Sequence, residues 1–200
     1  LLAEATLFNY HNVYKKIIKS MGGINKITHI QSNFNIPIIK KVHNIKNRDD
    51  DALMDMSPYA AAIIRIFFKK DYQIDVNKLT YKDTRYIKSF SVFCKNKKKS
   101  YFGNFGSEQE YISEIRFFSN NKIASINHQA FALPNNNKVP VYFKEKNKTK
   151  SINFSKDDSI KNFFKECMRV IKLKKYDMYY KNILIDAKIR EELRLKWSYQ

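Results

Sequence analysis

Segments with helical periodicity alternate along this chain with clusters of short extended runs, and this order limits the folds open to it. Apolar residues recur at helical spacing from Ala5 to Ser20, and again from Ser57 and Pro58 to Phe67. Extended runs lie between and after them, at 34–45, 72–95, 123–133, 139–144 and 150–154. Helices interleaved with clusters of strands favour an α+β fold, in which an antiparallel or mixed sheet has helices packed on one face.

Two capping boxes and a charged stretch near the end predict three further helices. Ser107 with Glu110 predicts a helix that ends at about Phe118, and Ser155 with Asp158 predicts the next one. The buried face of that second helix is predicted to comprise Ile160, Phe163, Phe164, Cys167 and Ile171. The last helix, over Tyr176–Trp197, places Asp186 four residues before Arg190, and Glu192 four before Lys196. We expect one α+β domain over residues 1–172 and an added C-terminal helix within 173–200.

Basic residues outnumber acidic residues two to one. The chain has 38 Lys and Arg against 19 Asp and Glu, which gives a formal net charge of +19. Its 44% hydrophobic content is enough for a real core, so the charge belongs to a folded domain rather than to a disordered tail. Charge of one sign and of this size favours a polyanionic partner, and nucleic acid is the commonest one.

The sequence offers little for catalysis or for metal binding. The histidines His11, His29, His43 and His128 are scattered, and no dinucleotide-binding or phosphate-loop motif occurs among only four glycines. The cysteines Cys94 and Cys167 have no metal or redox spacing, which suits a reducing compartment. Asp49–Asp51 is typical of a solvated turn. We therefore predict no enzyme, no cofactor and no metal site, and the absence of a long apolar run predicts no membrane span.

Three groups of residues are candidates for contact with RNA. Lysines would neutralise phosphates and an adjacent aromatic ring could stack on an unpaired base. The alternative for each group is a solvated turn or strand end, with the aromatic rings turned into the core. The candidates are Lys95, Lys97, Lys98, Lys99 and Tyr101; then Lys144, Lys146 and Lys148; and then Lys40, Lys41, His43 and Asn44.

Several stretches resemble the universal large-subunit ribosomal protein family that binds 5S rRNA. Residues 35–45, "NIPIIKKVHNI", resemble the first strand of that family, and Tyr10, Tyr14, Lys15 and Lys16 are placed as in its opening helix. Residues 125–134, "SINHQAFALP", look like its late strand, and 150–158 with Phe163 and Phe164 look like its last strand and closing helix. Residues 176–200 lie beyond the usual end of the family.

The resemblance implies a structural protein of the mitochondrial ribosome, in the central protuberance of the large subunit. It would bind ribosomal RNA through a lysine-rich sheet face and loops, and neighbouring ribosomal proteins through Tyr176–Trp197. The first residue is Leu rather than Met, so we expect a cleaved presequence or further residues before it. Two alternatives stay open: another mitochondrial ribosomal protein, of the small subunit or specific to one lineage, and a basic accessory subunit of a mitochondrial membrane complex whose charge faces anionic lipid.

Overall fold

The computed structural model describes residues 1–37, 51–68, 71–80 and 87–196. Four α-helices and two short 3-10 helices, Leu7–Tyr10 and Ile24–Lys26, accompany a sheet in this part of the chain. The α-helices are α1 (Asn12–Ser20), α2 (Ala52–Phe68), α3 (Ser159–Leu173) and α4 (Asp177–Leu195). The strands are β1 (His29–Ile36), β2 (Gln73–Thr80), β3 (Ile87–Lys95), β4 (Ser100–Ser107), β5 (Ile112–Phe118), β6 (Lys122–Ile126), β7 (Val139–Glu145) and β8 (Lys148–Phe154).

All eight described strands form one sheet, in the order β2-β3-β4-β1-β5-β6-β7-β8. β1 pairs with β4 in parallel, with His29 opposite Ser100, and with β5 antiparallel, with His29 opposite Phe118. The other described pairs are antiparallel and join strands that follow one another in the chain. The sheet is therefore mixed, and its first strand lies between two runs of consecutive strands.

The core lies on one face of this sheet, beneath the helices. Strand positions alternate between buried and accessible, because successive side chains point to opposite faces. Ile74, Phe90, Tyr101, Ile115 and Phe117 are fully or almost fully buried on the helical face. The opposite face carries partly or largely exposed side chains, among them Phe93, Phe102 and Tyr142. The predicted α+β fold with helices on one face is confirmed.

The prediction of a helix that begins at Ser107 and Glu110 is wrong. This stretch ends β4 and begins β5, and the burial of β5 alternates residue by residue up to Phe118. Ser113, Ile115 and Phe117 face the core, which is a period of two rather than of 3.6. Pairing with β1 on one side and β6 on the other outweighs the local capping signal.

The first strand lies earlier than predicted. The sequence places it at 34–45, whereas β1 covers His29–Ile36 and residues 38–50 lie outside the described part of the chain. The preceding helix is confirmed in outline: a 3-10 turn and then α1, which ends before Gly22 and Gly23. Both of these glycines have positive φ, +83° and +97°, a conformation that glycine adopts without steric cost.

Helix α3 is present, but its N-cap is Asp158 rather than the predicted Ser155, and most of its apolar face is not buried. Asp158 is the N-cap and accepts a hydrogen bond from the Lys161 N–H at 2.9 Å. Ile160, Phe164 and Ile171 are 43%, 60% and 44% exposed. Val170 is the buried apolar residue of this helix. The predicted buried face is therefore wrong for these three side chains.

Helix α4 packs against α2 and the edge of β2. Ile189 and Leu193 are fully buried. The Arg65 guanidinium of α2 forms an ion pair with Asp186 of α4, with Nε and Oδ1 2.8 Å apart. The predicted pair of Glu192 with Lys196 is present at 2.8 Å. Asp186 pairs with Arg65 rather than with Arg190, so that predicted pair is replaced by one between helices. No described helix is long and apolar enough to cross a membrane.

Candidate functional site

Polar groups collect at the sheet edge where β1 and β4 end. These two strands run in parallel and finish at Ile36 and Ser107. Because β5 is antiparallel to β1, and β6 to β5, the start of β5 and the end of β6 lie at the same edge. In open α/β sheets ligands bind in the crevice outside the carboxyl ends of parallel strands, and β1 and β4 form one such parallel pair here.

Helix α2 brings Asp55 and Tyr59 to this edge. Asp51 comes directly before the helix, and its Oδ1 accepts hydrogen bonds from the N–H groups of Leu53 at 2.8 Å and Met54 at 3.2 Å. Asp55 and Tyr59 are four residues apart and so lie on one face of the helix. Asp55 is exposed and Tyr59 is half-buried.

An aromatic cluster holds the ring of Tyr59. Its centroid lies 5.1 Å from that of Phe34, 5.3 Å from Phe131 and 6.0 Å from Phe8. The pKa of Tyr59 is raised, first by burial and then by the negative charges that Asp55 and Tyr111 carry when ionised. A phenol is protonated at neutral pH even without this shift, so Tyr59 can donate a hydrogen bond, and the raised pKa makes it a weaker acid than an exposed tyrosine.

Tyr111 and His128 complete the group from the other side of the edge. Their ring centroids are 5.9 Å apart in an edge-on arrangement. The loop after β6 is fixed over the start of β5, because the Ala130 N–H donates to the Ser113 carbonyl at 3.0 Å and the Phe131 N–H donates to Ser113 Oγ at 3.1 Å. His128 is exposed at the mouth of the site. We call Asp55, Tyr59, Tyr111 and His128 the Tyr59 site.

The chemistry open to the Tyr59 site is proton transfer. A protonated phenol, a carboxylate and an imidazole lie at one edge, and such groups act as general acids and bases when a substrate oxygen lies within hydrogen-bonding reach. Among the described residues no group of three His, Cys, Asp or Glu side chains could hold a metal ion. Cys94 is buried, and burial raises the pKa of its thiol to about 12, so it is not a reactive thiolate.

The lysines predicted to bind RNA lie away from this site. The turn between β3 and β4, with Lys95, Lys97, Lys98 and Lys99, is at the opposite edge of the sheet, as is the β7–β8 hairpin with Lys144, Lys146 and Lys148. Lys99 Nζ donates to the Ile24 carbonyl at 2.7 Å. Lys40, Lys41, His43 and Asn44 lie outside the described residues.

Tyr101 is not available to stack on a base. It is fully buried, and its hydroxyl is 2.9 Å from Ser32 Oγ across the β1–β4 pair. Burial raises its pKa, with the Ser32 hydrogen bond acting in the opposite direction. The alternative noted from the sequence, a ring turned into the core, is what the structure shows.

Sequence analysis missed the Tyr59 site. In the sequence, Tyr59 lies within the apolar helical pattern from Ser57 to Phe67, and His128 is one of four scattered histidines. The one available signal was the spacing of Asp55 and Tyr59 at the start of a helix that follows a strand. Tyr111 and His128 could not be joined to it, because the stretch before Phe118 was predicted as a helix.

Comparison with known proteins identifies the fold. No protein-family model and no curated protein sequence matches the chain. Among solved structures, the 3-ketoreductase KijD10 of Actinomadura kijaniata, in complex with NADP and TDP-benzene, is similar with a TM-score of 0.85 and 14% identity, over 98% of this chain and 62% of that one. The UDP-N-acetylglucosamine 3-dehydrogenase GnnA of Acidithiobacillus ferrooxidans is similar with a TM-score of 0.73 and 12% identity, over 98% and 62%.

The fold is shared with these two oxidoreductases. A variant of KijD10 in which one tyrosine is changed to phenylalanine is similar to the same degree, with a TM-score of 0.84 and 15% identity over 98% of this chain and 62% of that one. The chain thus spans about three fifths of the length of the structures it matches.

These likenesses correct the functional prediction. The resemblance to the 5S-rRNA-binding ribosomal family is wrong, because almost the whole chain superimposes on a reductase and a dehydrogenase. The predicted roles in the ribosome, the partners rRNA and ribosomal proteins, and the alternatives of another ribosomal protein or a membrane-complex subunit are overturned by the same finding. So is the prediction that the chain is not an enzyme.

Proposed function

We propose that this chain forms the substrate-facing part of an oxidoreductase that acts on a hydroxyl or keto group of a nucleotide-linked sugar. The observation that carries the proposal is the likeness over 98% of the chain to a 3-ketoreductase and to a UDP-N-acetylglucosamine 3-dehydrogenase. The Tyr59 site supports it, because the reduction of a ketone to an alcohol needs a proton donor for the carbonyl oxygen.

In this proposal Tyr59 is the proton donor. The phenol is protonated at neutral pH, so it can donate a hydrogen bond to a sugar carbonyl oxygen; because its pKa is raised, it passes the proton on only as that oxygen becomes the more basic alkoxide. Asp55 raises the pKa further, and the reverse reaction returns the proton from the sugar hydroxyl to the phenolate. Tyr111 and His128 lie where hydrogen bonds to neighbouring sugar hydroxyls would orient the ring.

The elements described here do not fit the NADP bound by KijD10. A dinucleotide pyrophosphate binds at a glycine-rich turn between a strand and the start of a helix. Gly22 and Gly23 instead lie between α1 and β1, and Gly103 and Gly106 lie inside β4. The proposal therefore concerns sugar binding and proton transfer on these elements, and no step through the nicotinamide is assigned to them.

Binding of nucleotide-sugars to the chain tests the proposal. We expect UDP-N-acetylglucosamine or TDP-glucose to shift the backbone NMR signals of Asp55, Tyr59, Tyr111 and His128. The variant Tyr59→Phe should bind up to about tenfold more weakly, because one hydrogen bond to the sugar is lost. Tyr180→Phe, which removes a hydroxyl from an exposed position on α4, is the matched control and should bind like the original chain. NMR signal shifts confined to other regions, or equal affinities of the two variants for the nucleotide-sugar, would refute the assignment of sugar binding to the Tyr59 site.

A further inference from the structure

A cleft lined by four lysines lies at the edge of the sheet opposite the Tyr59 site. It is formed where β6 begins, where β7 ends and where β8 begins, and its volume is about 560 Å³. That volume is within the range of small-molecule sites. We call this feature the lysine cleft: its lysines are Lys122, Lys146, Lys148 and Lys150, and its apolar wall is Phe143 and Ile152.

One of the four lysines is neutralised and three are not. Lys122 Nζ donates to the Ser20 carbonyl at 3.3 Å and is 3.4 Å from Glu145 Oε2. The ammonium groups of Lys146, Lys148 and Lys150 have no hydrogen bond or ion pair with any residue in the described part of the chain. Three unpaired positive charges therefore surround a space that is large enough for a ligand.

The strand geometry sets the spacing of two of these charges. Lys148, Lys150 and Ile152 alternate along β8, so they lie on one face, where they are opposite Glu145, Phe143 and Val141 of β7. Residues two apart on a strand are about 7 Å apart. Because both side chains leave the same face of the strand, their two ammonium groups repel each other when the space between them is empty, and they can hold an anion that has oxygens at both ends.

We propose that the lysine cleft binds a small molecule that carries a diphosphate group. The terminal oxygens of the diphosphate would lie between Lys148 and Lys150, with Lys146 of the hairpin turn closing one side. Ile152, which is 37% exposed, offers an apolar surface for the organic part of the ligand, and the buried ring of Phe143, which is 4% exposed, lies behind it. This site is independent of the proposed function, since β8 of seven residues separates the two edges by about 20 Å.

A titration with inorganic pyrophosphate tests the site. Calorimetry at physiological salt should show binding that is about tenfold weaker in the variant Lys148→Ala/Lys150→Ala, because both bridging charges are lost. The matched control is Lys97→Ala/Lys98→Ala, which removes the same charge from an exposed turn at the same edge of the sheet. The control should bind within about twofold of the original chain. The four lysines replaced in these two variants are exposed, so we expect both variants to fold like the original chain.

Equal losses in the two double variants would show that the net charge of the protein attracts the anion, and would overturn the proposal. So would the absence of binding. Inorganic phosphate should bind about tenfold more weakly than pyrophosphate, because it cannot bridge both lysines; equal affinities would refute the assignment to diphosphates. Tyr59→Phe should leave pyrophosphate binding unchanged, which separates this test from that of the proposed function.

Discussion

At the scale of single residues, burial decides which groups ionise. His11 is fully buried as the N-cap of α1, where its Nδ1 accepts a hydrogen bond from the Val13 N–H at 3.3 Å. Burial lowers the pKa of His11, and the Asp157 carboxylate, 3.9 Å away, acts in the opposite direction. Burial also lowers the pKa of His29 on β1. Both imidazoles are therefore harder to protonate in the folded state than in the unfolded chain.

The lowered pKa of His11 predicts a loss of stability in mild acid. A histidine whose pKa is lower in the folded than in the unfolded chain binds protons preferentially when unfolded, so the stability it contributes is complete above about pH 6.5 and is lost as the pH falls below that value. The urea concentration at the unfolding midpoint should decrease as the pH is lowered from about 7.5 to about 5.5. His11→Asn, which retains an N-cap side chain, should make this slope shallower without abolishing it, because His29 contributes in the same sense. Equal slopes would contradict this account.

Gly103 is required by the two rings that flank it. A Cβ at this position would lie 2.7 Å from the rings of both Tyr101 and Phe105, which are fully buried. We expect Gly103→Ala to lower the free energy of unfolding by about 2 kcal/mol, because the core around these rings has no room to relax. The matched control is Asn104→Ala, next in β4 but on the open face, which should cost less than about 1 kcal/mol. Urea denaturation of both variants tests this prediction, and equal losses in the free energy of unfolding would refute the steric explanation.

At the scale of elements, periodicity predicted the helices at both ends of the chain well and the centre poorly. Helices α1, α3 and α4 form close to their predicted bounds, because local apolar spacing and capping determine them. β5 was missed because Ser107 and Glu110 imitate a helix start, and because one of its two pairing partners, β1, is distant in sequence. The Tyr59 site could not be predicted for the same reason, because its residues come together only when β5 and β6 are placed beside β1.

Exposure along α3 predicts which of its apolar side chains stabilise the fold. Phe164 and Met168 are 60% and 65% exposed, whereas Val170 is 1% exposed. Replacing both exposed side chains, as Phe164→Ser/Met168→Ser, should change the free energy of unfolding by less than about 1 kcal/mol. Val170→Ala should cost about 1 to 2 kcal/mol, through lost burial and the cavity left behind. A larger loss in the double variant than in Val170→Ala, measured by urea denaturation, would show that the exposed face is covered in the free protein.

At the scale of the whole molecule, α4 is joined to the domain by buried contacts. Besides Ile189 and Leu193, the Lys196 ammonium donates to the Ile74 carbonyl at 2.7 Å, which ties the end of α4 to β2. Removing residues 173–200 should therefore uncover apolar surface of α2, leave Arg65 without its carboxylate partner, and lower the melting temperature by several degrees. Circular dichroism melts of the full and shortened chains test this, and an unchanged midpoint would show that the helix is an independent extension.

The functional error made from the sequence also belongs to this scale. Basic charge and an order of helices and strands are compatible with several unrelated folds, so they justified neither the ribosomal assignment nor the prediction that the chain is not an enzyme. What distinguishes the sheet is the parallel pairing of β1 with β4, which brings His29 within 2.8 Å of Ser100, 71 residues later. No local sequence pattern can predict a pairing between strands that are so far apart in the sequence. The sheet edge that holds the Tyr59 site depends on this pairing.

The central place of β1 has a consequence for the order of synthesis. The runs β2-β3-β4 and β5-β6-β7-β8 can each form from neighbouring hairpins as they emerge, but β1 is made first and finds both of its partners much later. Until then its backbone groups are unpaired on both sides. β1, which precedes the other seven described strands in the chain, therefore stays unpaired until its partners β4 and β5 have been synthesised. We expect its pairing with them, which is non-local, to be the slow step of folding.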